Sequence, residues 1–93
     1  MEGGGMILQE QEKLYDSTFL KNAILESLQT RSRKVRSIVR WIERTYHLNF
    51  EENEKERLSA TISIRLRELE AFGYVIKIDG FYKLSEFYIR KKF

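Results

Sequence analysis

Ninety-three residues at 11.2 kDa leave room for one small domain, since cores shrink quickly below about 100 residues. Hydrophobic residues at 42% and aromatics at 13%, against 33% charged residues and a mean hydropathy of -0.49, describe a chain that can pack a core without being membrane-bound or disordered throughout. With no Cys and one His, disulfide frameworks, thiolate metal centres and most hydrolytic and redox chemistries are excluded, and no cofactor is expected; the net charge of +3 is uninformative until its distribution is known.

In chain order, residues 1–16 predict a tail outside the domain, with a flexible glycine run at Gly3, Gly4 and Gly5 and a short apolar patch at Met6, Ile7 and Leu8. From Ser17 the spacing of Phe19, Leu20, Ala23, Ile24 and Leu28 predicts a first helix over about 17–29, capped by Asp16 or Ser17. A second helix follows, with Val35, Ile38, Val39, Ile42 and Tyr46 on one side and an end near His47. Carboxylates favour a helix start near Glu54, and the third helix runs to about Phe72 with Leu58, Ile62, Leu66, Leu69 and Phe72 buried and Gly73 as its left-handed stop. Residues 74–78 and 81–84 flank Asp79-Gly80, the signature of a two-residue hairpin. Residues 89–93 read as a basic tail, so the domain is expected over 17–88.

Three short helices and a hairpin must share one core, which predicts a mainly α fold with a small β-hairpin: a winged helix-turn-helix of three helices plus a C-terminal two-stranded wing. Charge is segregated along the same elements. Residues 31–50 carry six basic groups (Arg31, Arg33, Lys34, Arg36, Arg40 and Arg44) against Glu43, net +5, whereas residues 51–56 carry four Glu against Lys55, net -3. Arg36, Arg40 and Arg44 recur at i, i+4 and Arg33 extends the stripe by a turn, a spacing suited to following phosphates. The outer face of the third helix offers Ser59, Ser63 and Arg67, of which only Arg67 could hold guanine bidentately, so strong base readout is not expected. Lys77, Lys83, Arg90, Lys91 and Lys92 flank these, and Arg65 adds a further cation.

Each feature has a plainer reading. A basic stripe is often only a solvated face paired with nearby Glu, but a single Glu43 neutralises six cations poorly. Trp41 reads as packing, His47 as a helix-end group, and the cluster Tyr74, Phe81, Tyr82, Phe87 and Tyr88 as about half core by strand alternation. Glu51 and Glu52 lie in a polar run with nothing to set them up as an acid/base pair, so none is expected and the chain is not expected to be an enzyme.

The stretch from Ile62 to Gly73, followed by Tyr74-Val75-Ile76-Lys77 and Phe81-Tyr82-Lys83-Leu84-Ser85, resembles the third helix and wing of the linker-histone globular domain. The first two helices fit its order, so the likeness spans about residues 17–86. It implies binding to nucleosomal DNA through basic faces, with Arg67 at a basic position of the third helix, Ser63 where the family usually has Lys, and a wing shortened to Asp79-Gly80. A second likeness is to forkhead domains, through Arg40-Trp41-Ile42 and Ser63-Ile64-Arg65. Ile62 and Leu66 stand where that family has its base-reading Asn and His, so sequence reading of that kind is not implied.

The expectation is a winged-helix module of a chromatin or transcription protein that binds double-stranded DNA, nucleosomal DNA included, mainly through phosphates and with modest sequence preference. No membrane or small-molecule partner is expected, and the location implied is the nucleus. The rival is a winged helix serving as a protein–protein module in a larger nuclear assembly, docking subunits through the aromatic hairpin or through Met6-Ile7-Leu8 and the acidic loop.

Overall fold

In the computed structural model, which describes residues 13–92, the apolar periodicities become α1 (Ser17–Ser27), α2 (Val35–Thr45), α3 (Glu52–Ala71), β1 (Val75–Ile78), β2 (Phe81–Leu84) and α4 (Glu86–Lys92). The chain is mainly helical with one two-stranded antiparallel hairpin. Asp16 starts α1 as expected: it is extended, and its carboxylate accepts the Phe19 N–H at 3.0 Å, supplying a partner for a first-turn amide that has none within the helix. At the start of α3 the Glu54 carboxylate reaches back to the Glu51 N–H at 3.1 Å.

The C-termini of α2 and α3 share one geometry. Past α3, Gly73 has φ +81°, the Tyr74 N–H donates to Leu69 O at 2.9 Å and the Gly73 N–H to Glu70 O at 2.9 Å. Past α2, the Leu48 N–H donates to Glu43 O at 2.8 Å and the His47 N–H to Arg44 O at 3.4 Å, with His47 in the left-handed position at φ 57°. His47 is thus a helix-end residue through its backbone, and an imidazole-bearing residue there pays the Cβ penalty that glycine escapes. His47→Gly is expected to raise stability by about 0.5–1 kcal/mol in urea unfolding; a loss of stability would show that the side chain contributes packing there.

The core gathers Leu20 and Ile24 of α1, Ile38 and Ile42 of α2, and Leu58, Ile62, Leu66 and Leu69 of α3, with Val75, Tyr82 and Leu84 of the hairpin closing one end. α3 packs against α1, α2 and β1, so the longest helix is the spine of the domain. In the hairpin Ile78 faces Phe81 across Asp79 (φ 53°) and Gly80 (φ +82°), the doubly left-handed turn whose twist suits a two-residue connection. Alternation turns Val75, Tyr82 and Leu84 inward and leaves Ile76, Ile78 and Phe81 exposed. A third segment joins the sheet: Arg33 and Tyr82 exchange backbone hydrogen bonds of 3.0 and 2.8 Å, tying the α1–α2 connection to β2.

Three expectations need correction. Leu14, placed in the tail, is fully buried in the core, so the domain begins earlier than residue 17; residues 1–12, including the glycine run and Met6-Ile7-Leu8, lie outside the described residues, as does Phe93. The basic tail from residue 89 is instead the second half of α4, started by Ser85, whose hydroxyl accepts the Tyr88 N–H at 3.1 Å and donates to Gly73 O. Phe72 is not core but 60% exposed, because the chain reverses at Gly73 and Val75 covers the end of the stripe in its place. Among the described residues no helix is long and apolar enough to cross a membrane.

Candidate nucleic-acid interface

The arginines of α2 occupy the face opposite Ile38, Val39 and Ile42. Arg36, Arg40 and Arg44 are all exposed and follow one another at about 6 Å per i, i+4 step, with Arg31 and Lys34 exposed just before the helix. The ion pairs among the described residues are Lys21–Glu68, Arg65–Glu68 and Arg90–Glu86, and none engages these five cations. The one carboxylate of the segment, Glu43, is half-buried, and its Oε2 accepts the Phe50 N–H at 3.2 Å, pinning the chain between α2 and α3.

Arg33 borders this face, lining a cleft with Arg31, Lys34, Arg36 and Arg40, but its side chain is held inward. It is only 8% exposed: its Nε donates to Ser27 O at 2.6 Å and its terminal nitrogens to Ser37 Oγ at 2.9 Å and Thr30 Oγ1 at 3.3 Å. Ser27 ends α1, where carbonyls lack intrahelical donors and the helix dipole is negative, so the guanidinium caps that end. Burial, then the charges of Arg31 and Arg44, press its pKa below the usual arginine value. Arg33, expected as a phosphate contact, thus has a structural role at the end of α1 and little exposed surface.

Three adjoining clefts border the arginine face. Arg31, Lys34, Arg36 and Arg40 line one together with Phe81, whose ring carries Lys34 Nζ at 5.1 Å from its centre. Arg36 and Arg40 line a second with Glu43 of α2 and Glu52, Lys55, Glu56 and Ser59 of α3, and Arg40, Arg44 and Lys55 a third with Glu43, His47 and Asn49. Arg40 borders all three. Lys55 and Phe81 are additions that the sequence reading missed: Lys55 was absorbed into an acidic run, and no local pattern places a hairpin tip beside a helix start.

On α3, Ser59 and Ser63 are half-buried and Arg67 is exposed, and Ser59 shares a cleft with Arg36 and Arg40. The first turns of α3 carry Glu52, Glu54 and Glu56, carboxylates that disfavour thrusting this end into a groove walled by phosphates. Arg65 is half-buried and spent on Glu68, at 2.8 Å; hydrogen bonds from Arg65 and then Lys21 hold that carboxyl below its ordinary range. Lys83 lines a further cleft with Leu28, Leu84 and Arg31, the last of which it shares with the first cleft, and Lys77 Nζ sits 5.5 Å from the Tyr82 ring centre. Arg90, Lys91 and Lys92 are exposed on α4, where Arg90 pairs with Glu86 and Lys91 lies over the rings of Tyr74 and Phe87. Trp41 is half-buried against the core. No group of three or more His, Cys, Asp or Glu side chains that could hold a metal occurs among the described residues. Comparison of the chain with protein-family models, with curated proteins and with solved structures finds no match.

Proposed function

We propose that this chain is a winged-helix module that binds double-stranded DNA through phosphates along α2, with the hairpin as a short wing. The observation that carries the reading is the run Arg31, Lys34, Arg36, Arg40 and Arg44: five exposed cations on one surface with no ion-pair partner among the described residues, while Glu43 is turned to a backbone amide. Backbone pairing of Arg33 with Tyr82 supports the wing, since it fastens the hairpin beside the start of α2. The carboxylates of α3 favour docking by the α2 face over insertion of the α3 N-terminus, which fits weak sequence preference. The role is one of binding, not catalysis, in a chromatin or transcription protein of the nucleus, as the linker-histone likeness implies.

The test is a salt titration of binding to a random duplex. Five neutralised phosphates predict that log K falls against log salt with a slope of about -4.5, and that affinity at physiological salt lies in the range of about 1–100 μM. Absence of binding at low salt, or binding indifferent to salt, would overturn the reading.

A further inference from the structure

Of the large apolar side chains described, Phe72 and Phe87 are the most exposed, at 60% and 56%, and they flank one aromatic row. Tyr74 stands between them, 5.8 Å from Phe72 and 6.1 Å from Phe87 between ring centres, with Tyr88 buried behind it at 5.1 Å. The row joins the end of α3, the entry to β1 and the first turn of α4. Arg36 and Arg40, by contrast, share a cleft with Glu52 to Ser59; from Ser59 to Phe72 is about 20 Å along the α3 axis, so the two surfaces are distinct.

Exposed aromatics in a row are a preferred seat for a partner, and the surrounding charge decides which kind. Lys21 Nζ lies 5.4 Å from the Phe72 ring centre, and Lys91 Nζ 5.6 and 6.0 Å from those of Tyr74 and Phe87. Of the carboxylates around the row, Glu68 is held by Arg65 and Lys21 and Glu86 by Arg90, while Glu26, whose charge reaches Tyr88, and Glu70 stand outside the ion pairs described; Lys91 and Lys92 are exposed cations outside those pairs too, and they give the α4 side of the rim its positive charge. A nucleic acid strand would also welcome rings and cations, but it stacks bases on open ring faces. Here the Tyr74 and Phe87 rings lie within 22° of parallel against each other and a lysine lies over each ring of the row, so fewer open faces remain for stacked bases than for apolar side chains that pack without a fixed stacking geometry.

We propose that the Phe72, Tyr74 and Phe87 surface docks an acidic segment of a partner protein, whose apolar side chains seat against the rings while its carboxylates pair with Lys91 and Lys92. This surface is independent of the DNA reading, and each can fail alone. The test follows amide shifts of the isotope-labelled full chain on titration with three probes: a short synthetic peptide alternating Asp and Glu with Phe and Leu, the same peptide with Lys for every acid, and a short oligothymidylate. The acidic peptide is expected to shift Phe72, Tyr74, Phe87 and Lys91 with a dissociation constant on the order of 100 μM, the basic one to leave them in place. Phe72→Ser with Phe87→Ser should weaken that binding at least about tenfold and leave the DNA salt slope unchanged; Lys91→Glu should weaken it with both rings intact. No shift with the acidic peptide, equal binding of the basic peptide, stronger shifts of the same residues by oligothymidylate, or unaltered affinity in the variants would each overturn the proposal.

Discussion

Arg33→Met is expected to destabilise the chain by about 2–4 kcal/mol while leaving the DNA affinity of the folded protein within about twofold. The thioether fills part of the space but supplies no donor, so the Ser27 carbonyl at the end of α1 loses its 2.6 Å charge-assisted partner in a buried setting. Ser37 and Thr30 can turn toward water, which keeps the loss below the sum of three bonds. For a domain of this size the midpoint of thermal unfolding should fall by roughly 10–25 °C. Arg33→Lys should recover only a fraction, because a point charge cannot address three acceptors set around a planar fork. The decisive comparison is calorimetry beside duplex binding at a temperature where both proteins are folded. A variant of unchanged melting temperature and tenfold weaker DNA binding would return Arg33 to the interface.

The opposite pattern is expected for Arg36→Glu combined with Arg40→Glu. Both side chains are exposed and outside every ion pair described, so stability should move by no more than about 0.5–1 kcal/mol. Loss of two phosphate contacts alone lowers the magnitude of the salt slope by about 2, and two new carboxylates beside Glu52 and Glu56 add repulsion in the same cleft. Affinity at low salt should drop by about a hundredfold or more. Unchanged binding of this double reversal would remove α2 from the interface.

These two arginine classes show where sequence reading succeeds and where it stops. Asp16, Gly73 and Asp79-Gly80 were legible because a cap, a left-handed stop and a two-residue turn are decided within a few residues. The stripes of α1, α2 and α3 were legible from period alone, apart from Phe72, whose place in the core was taken by Val75 after the reversal. Arg33 was not, for it has the same type and nearly the same spacing as its exposed neighbours; what sets it apart is the end of α1 folding over it, a contact between elements. Leu14 and α4 were missed for a related reason: short segments without a repeating pattern gain order only from the surface they land on. Arg36, Arg40 and Arg44 nevertheless stand exposed together, since the i, i+4 spacing fixes a helix face before any tertiary contact forms, and Arg31 and Lys34 are exposed in the segment before the helix.

Both ends of α2 are tied down. Arg33 fastens the chain before it to α1 and to β2, and Glu43 holds the chain after it at Phe50. The arginine face is therefore a stiff ruler, with the distances between its marks set before any duplex arrives. A ligand meeting it has no helix to wind and only side-chain rotamers to settle, so the ordering entropy that burdens disordered basic tails has already been met during folding. In that sense the least accessible arginine of the block holds the others in line, and on the proposed reading it does so ahead of any contact with a polyanion.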